Sequence, residues 1–306
     1  MSMGGFAVLS FLLLAGLPSQ AASPADDSEQ STSGQGAEAG KPPDNSSMPE
    51  DSSGDPPPIA DNSFLIEEAY NQEFGVVQHI HTFQRYWNSK DWTFAFTQEW
   101  PVDENPRHQL SYTLTALHSG EPPASGAGFG DIILNYRYQA IGGDKIAFAP
   151  RFSVLLPTGN HRFGRGTGGA GMQGMLPLSV VLAPKLVSHW NAGATIIPHA
   201  KNDAEESAAT FGYSLGQSMV WLVHPRFNVL LETVFNHGQH VTAPKTGQWS
   251  SDLLLSPGIR WAYNFKNGLQ IVPGVAVPFG VGPSRGERGI FLYLSFEHPY
   301  RKLPAN

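Results

Sequence analysis

Residues Asp91–Trp100 read DWTFAFTQEW, and this stretch decides the fold class. Large aromatic side chains alternate in it with small, polar or acidic ones. One set is Trp92, Phe94, Phe96 and Trp100, and the other is Thr93, Ala95, Thr97 and Glu99. Because successive side chains of a β-strand point to opposite faces, the stretch predicts a strand with one aromatic and one polar face.

The same period of two continues along the rest of the chain. In Gly130–Ala140 (GDIILNYRYQA), apolar and aromatic residues alternate with Asp131, Asn135 and Arg137. We predict twelve strands, at about residues 76–86, 91–101, 107–117, 129–140, 145–156, 170–182, 184–198, 207–222, 225–235, 249–263, 268–279 and 288–298. Most are longer than the ~5–6 residues of an average strand and match the ~9–11 of a tilted membrane strand.

The distribution of side chains between the two faces favours a membrane barrel. A soluble β-sandwich or lipocalin-like barrel also explains alternation, but it would place polar residues outside. Here the aromatic residues share the apolar face, and several lie near strand ends, as in interfacial girdles. We therefore predict an all-β fold, a transmembrane antiparallel up-and-down β-barrel of about twelve strands.

Connection lengths point the same way. Short turns are expected after every even-numbered strand, for example 141–144 and 266–267. Mostly longer connections are expected on the other side, at residues 118–128, 157–169, 199–206, 236–249 and 280–287. Alternation of short turns and long loops is typical of outer-membrane barrels.

Composition separates an acidic N-terminal part from a neutral body. The chain has 306 residues, 15% of them charged, and a net charge of −7. Residues 1–60 contain eight acidic residues and only Lys41 as a base, so they account for the whole net charge. No basic field suggests nucleic acid as a partner. The absence of Cys excludes disulfides and thiolate chemistry.

The N-terminus predicts export. Gly4–Leu17 (GGFAVLSFLLLAGL) is apolar and is followed by small residues around Ala21 and Ala22, so residues 1–22 are assigned to a signal peptide. Residues 23–60, rich in Ser, Pro, Gly and acids, are expected to be a disordered linker. Residues 61–306 form the predicted barrel, with 61–75 as a lead-in. No later segment is apolar enough for a membrane helix.

Four stretches resemble a known family. They are Asp61–Ile80 (DNSFLIEEAYNQEFGVVQHI), Gly126–Tyr138 (GAGFGDIILNYRY), Pro150–Gly159 (PRFSVLLPTG) and Leu255–Gly268 (LSPGIRWAYNFKNG). Together they resemble the outer-membrane transporter family of the MetA-pathway of phenol degradation type. The resemblance implies a β-barrel that passes small, hydrophobic or aromatic, organic compounds.

The polar face provides the candidate site residues. If the polar face lines a lumen, the lumen holds Glu99, Asp131, Arg137, Arg151, Glu232, Arg260 and Asn264. Opposed acids and bases in a narrow lumen would select solutes by size and charge. Alternatively they only fill the lumen as structural ion pairs. The expected partners are outer-membrane lipids, a small-molecule solute and the barrel-insertion machinery, with no cofactor.

Other motifs carry weaker hypotheses. His79 and His81 share one strand face, and His237 and His240 lie in a predicted external loop, but two ligands make a poor metal site. Gly164–Gly174 lacks the ending of a phosphate loop and is interpreted as an external loop. Phe64–Tyr70 (FLIEEAY) could form a short amphipathic helix that plugs the mouth or only leads into the barrel. A non-conducting binding or structural barrel and a membrane hydrolase remain the alternatives, although no catalytic motif appears.

Overall fold

A computed structural model describes Ile59 and residues 61–102, 105–120 and 125–300. The predicted signal peptide and most of the predicted linker lie outside these residues. Among the described residues, no helix is long and apolar enough to cross a membrane. The regular structure is almost entirely β, with two short 3-10 helices at His161–Phe163 and Gly282–Ser284.

Twelve strands form the fold. Uninterrupted strands are β1 (Val76–Tyr86), β2 (Trp92–Pro101), β3 (His108–Ser119), β6 (Gly171–Ala183), β7 (Leu186–Lys201), β8 (Ser207–His224), β9 (Phe227–Ala243) and β12 (Gly289–Pro299). The others have short breaks: β4 (Gly126–Phe129, Ile132–Tyr138 and Ile141–Gly142), β5 (Ile146–Phe148 and Arg151–Leu156), β10 (Thr246–Trp261 and Tyr263–Asn264) and β11 (Gln270–Ala276 and Phe279–Gly280).

The sheet closes on itself. Each strand pairs antiparallel with the next, and β1 pairs with β12 from Val76 opposite Pro299 to Tyr86 opposite Gly289. Closure leaves no strand edge with unpaired backbone groups. The predicted fold class and number of strands are confirmed.

Polar residues face the inside of the barrel and apolar residues face outward. Gln109 and Gln173 are almost fully buried on the inner face, whereas Leu134, Phe152 and Leu176 are about half exposed on the outer face. A barrel in water would have the opposite pattern, with polar residues outside and apolar residues inside, because burying polar groups is costly unless they find hydrogen-bonding partners. The outer face therefore fits contact with lipid.

Two predicted loops are partly or wholly strand. Residues 236–249 were expected to be a long connection, but β9 and β10 continue to Ala243 and Thr246, joined by a two-residue turn. His237 stacks on Trp249 across these strands, with ring centroids 4.4 Å apart, and such cross-strand aromatic pairs stabilise a hairpin. Similarly, β7 extends to Lys201, which leaves residues 202–206 as its connection to β8.

The segment before β1 lies inside the barrel. The predicted helix over Phe64–Tyr70 is wrong, because residues 61–73 form neither helix nor strand. Phe64, Ile66 and Ala69 are nevertheless buried, with at most 6% of their surface exposed. We call Ile59 and residues 61–73 the luminal segment.

Candidate functional site

Inner-wall side chains bind the backbone of the luminal segment. The carboxylate Oε1 of Glu232 on β9 accepts from the N–H groups of Leu65 (2.8 Å) and Ile66 (3.2 Å), and Ser179 Oγ on β6 accepts from Ala69 N–H (2.8 Å). Side-chain amides bind further N–H groups in the same way: Asn191 for Glu67, Gln139 for Asn71 and Gln109 for Gln72. These bonds replace those of a helix, which explains why the segment remains irregular.

Arg260 on β10 holds the beginning of the segment. Its Nη1 donates to the carbonyl oxygens of Asp61 (2.7 Å) and Asn62 (2.5 Å), and the arginine is only 2% exposed. The Asp61 carboxylate accepts in turn from Gln78 on β1 and from Tyr293 and Ser295 on β12, at 2.6–2.7 Å. Buried charged groups are stable only with such complete pairing.

Two further arginines hold the luminal segment, Arg137 near its end and Arg151 near its middle. Arg137 on β4 donates to the carbonyl oxygen of Tyr70 (2.7 Å) and lies 3.6 Å from Glu99 on β2. Arg151 on β5 forms an ion pair with Glu67 at 3.0 Å. The segment is thus fastened to most of the circumference of the barrel.

Glycines on the inner wall make room for the two large apolar side chains of the segment. A Cβ at Gly258 or Gly274 would collide with the Phe64 ring, and one at Gly216 would collide with Ile66. Phe64 also packs on the ring of Tyr293, with centroids 5.4 Å apart. The wall therefore has the shape, as well as the polar groups, to hold this segment.

A cavity of about 110 Å³ remains between the segment and the wall. Its apolar lining includes Ile80, Ala95 and Phe291, and its polar lining includes Thr97 and Asn236. The cavity is small because the luminal segment fills much of the interior.

The structure brings five of the seven candidate residues to the luminal segment or its ligands: Glu99, Arg137, Arg151, Glu232 and Arg260. Asp131 lies elsewhere. Its carboxylate accepts from the N–H groups of Gly159 (2.9 Å) and Thr167 (2.8 Å), and so anchors the loop 157–170. Asn264, also expected on the inner face, is exposed at the end of β10, where it accepts from Gln270.

Four uncharged polar residues of the inner wall were not among the candidates. Ser179, Asn191, Gln109 and Gln139 bind the segment as directly as the charged residues do. Their position on the polar face of predicted strands was the available signal.

The histidine candidates take other places. His79 and His81 lie on the outer face, where His79 stacks on the ring of Phe96 and His81 contacts the same ring at a tilt. His237 and His240 belong to β9 and not to a loop. Within the described ranges, no cluster of three or more His, Cys, Asp or Glu side chains could hold a metal ion.

One serine–histidine contact bears on the hydrolase alternative. Ser179 Oγ and His189 Nδ1 are 2.7 Å apart inside the barrel. The same Oγ accepts from Ala69 N–H, so the luminal segment already covers this pair. Ser188, which precedes His189 in the sequence, donates its hydroxyl to the carbonyl oxygen of Ser218 instead.

Comparisons with known proteins support the fold. An outer membrane channel from Pseudomonas putida F1 has a similar structure, with a TM-score of 0.56, 12% sequence identity, and coverage of 75% of this chain and 97% of that chain. The NanC porin gives a TM-score of 0.50 at 8% identity, covering 71% and 98%. No family model matches the chain, and no curated protein matches it.

These similarities, the closed barrel and its apolar outer face define a class. The protein is a β-barrel of the bacterial outer membrane, surrounded by lipid.

We call the end of the barrel with turns 143–145, 184–185, 225–226 and 265–269 the turn end, and the opposite end the loop end.

Proposed function

We propose that this protein is a channel for small organic molecules and that the luminal segment holds it closed. The observation that carries the proposal is the cavity between the segment and the inner wall of the barrel. A solute bound there lies inside the barrel wall, and movement of the segment would open its path. The charged residues of the wall then act mainly on the segment, by holding it.

The chemistry of the cavity favours an uncharged, single-ring compound as the solute. Ile80, Ala95 and Phe291 offer apolar contact, and Thr97 and Asn236 can orient one polar group. The volume of about 110 Å³ is close to the ~150 Å³ of an engineered cavity that binds benzene. The resemblance to transporters of the MetA-pathway type supports the same class of solute.

Blocking the cavity tests this proposal. Ala95→Trp places an indole in the cavity, because Ala95 is buried on the inner face. The matched control is Ala194→Trp, at an exposed position of β7. We expect proteoliposomes with Ala95→Trp to take up phenol-sized compounds several times more slowly than wild type, and Ala194→Trp to leave uptake unchanged. Equal uptake by the two variants would refute a path through this cavity.

A non-conducting binding barrel is the second candidate. The many bonds between the wall and the luminal segment favour it, because each must break before a path opens. Ligand binding without any uptake, in wild type and in variants with a weakened segment, would support this second function.

The barrel-insertion machinery is a further proposed partner, needed to place either kind of barrel in the membrane.

A further inference from the structure

Three neighbouring turns at the turn end each present one exposed base. They are Lys185 in the β6–β7 turn, Arg226 in the β8–β9 turn and Lys266 in the β10–β11 turn, which we call the basic arc. None of these turns contains an acidic residue. In the part of the chain that the structure describes, no carboxylate lies within 4.0 Å of any of the three bases.

The other turns at this end are electrostatically mixed. Lys145 follows Asp144 in the β4–β5 turn, and Arg107 follows Asp103 and Glu104 in the sequence of the β2–β3 connection. Among the turns at this end, positive charge without an adjacent acidic residue is therefore concentrated on the basic arc.

The luminal segment begins beside this arc. Ile59 is buried in an apolar cluster with Ala262, and Leu222 packs against the same cluster. Ala262 N–H donates to the carbonyl oxygen of Arg226 (3.1 Å), and Leu222 N–H donates to that of Lys185 (3.0 Å). Ile59 therefore lies near the strand ends that carry two of the three bases.

The sequence before Ile59 carries the complementary charge. Asp44, Glu50, Asp51 and Asp55 precede three consecutive prolines, and Lys41 is the only base among residues 1–60. Asp55 precedes Ile59 by four residues, and four residues of fully extended chain reach at most about 14 Å. That distance is comparable with the ~10 Å over which charges interact at 0.1 M salt.

We propose that the acidic residues 44–55, which lie outside the described residues, dock on the basic arc. The length of chain before Ile59, the position of Ile59 and the charge of residues 44–55 all match this surface. Docking would hold the start of the luminal segment at the mouth, so it would act together with Arg260 to keep the segment in place.

Cross-linking in the full chain tests the docking, because the protein has no native Cys. One double variant combines Ser52→Cys with Ala183→Cys, an exposed position next to the basic arc. The control combines Ser52→Cys with Ala140→Cys, an exposed position of β4 that also lies at the turn end. With a short bismaleimide at about 0.01 M salt, where the Debye length is ~30 Å, the first pair should react at least ~5-fold faster. At about 1 M salt, where it is ~3 Å, the preference should disappear.

Charge reversal provides the second arm. The exposed triple variant Lys185→Glu, Arg226→Glu and Lys266→Glu should remove the preference for Ala183→Cys, whereas Lys145→Glu should preserve it. Equal reaction of the two pairs at low salt, or a preference that survives the triple reversal, would overturn the proposal. A preference that vanishes only in anionic vesicles would assign the arc to lipid phosphates and would overturn it as well.

Discussion

Replacing Glu232 with leucine is expected to release the luminal segment. The Oε1 atom of Glu232 accepts the N–H groups of Leu65 and Ile66, and the residue is fully buried. A buried N–H group that loses its acceptor costs about 1–3 kcal/mol. Loss of both hydrogen bonds, partly offset by new apolar contacts of leucine, should favour the released state by ~3 kcal/mol, or about 100-fold in its population.

A single introduced cysteine measures that population. Ser63 is 1% exposed and lies in the luminal segment, and the chain has no native Cys to interfere. When the segment opens and closes faster than maleimide reacts, the labelling rate of Ser63→Cys follows the open fraction. Adding Glu232→Leu should therefore accelerate labelling by about 100-fold.

Glu232→Gln is the matched control. Its amide oxygen can still accept both N–H groups, and its amide nitrogen can donate to Ser256, the cross-strand partner of Glu232. We expect Glu232→Gln to label at a rate within a few-fold of the parent. If Glu232→Leu and Glu232→Gln label equally fast, the bonds to Leu65 and Ile66 do not hold the segment, and the reasoning is refuted.

Three further substitutions test other contacts. Gly274→Ala should crowd Phe64, destabilise the closed position of the luminal segment by about 1–3 kcal/mol and so accelerate the labelling of Ser63→Cys. In a chain that also carries Phe64→Ala, Gly274→Ala should cause no further acceleration. Asp131→Ala should speed hydrogen exchange in loop 157–170 at least ~10-fold, with Asp131→Asn intermediate, because two N–H groups lose a charged acceptor. The hydrogen bond from Arg162 lowers the pKa of Glu205 to about 2. The contact between this loop and Glu205 should therefore be complete above pH 4.5 and be lost as the pH falls toward 2. In Glu205→Gln, hydrogen exchange in the loop should already be fast at pH 7. If hydrogen exchange in loop 157–170 is unchanged by these substitutions and by acid, neither Asp131 nor Glu205 anchors the loop.

The strands could be predicted because their signal is local. Alternation in Asp91–Trp100 needs no knowledge of the partner strand, and β2 forms there as expected. The end of β9 was missed because residues 236–243 are mostly polar, and their strand structure depends on pairing with β10. The stacking of His237 on Trp249 is a cross-strand contact that alternation does not reveal.

The position of the luminal segment could not be predicted from local pattern, because its partners are distant in sequence. Leu65 and Glu232 are 167 positions apart, and Asp61 and Ser295 are 234 apart. The register placed Glu232, Arg260 and the other charged residues on the inner face, but it could not show that a part of the same chain binds them. Gly258 and Gly274, glycines in the interior of predicted strands, were the signal that something packs closely there.

A disulfide between the luminal segment and the wall tests closure of the channel most directly. Cγ1 of Ile66, whose place the Sγ atom of a cysteine at this position would take, lies 3.5 Å from the position that a Cβ on residue 216 would occupy, which is close to the roughly 3 Å between one sulfur and the far Cβ across a disulfide. In proteoliposomes, oxidised Ile66→Cys/Gly216→Cys should block uptake of small aromatic compounds, and reduction should restore it. Neither single variant should respond to oxidation. Equal uptake by the oxidised and reduced double variant would contradict the role of this segment in closing the channel.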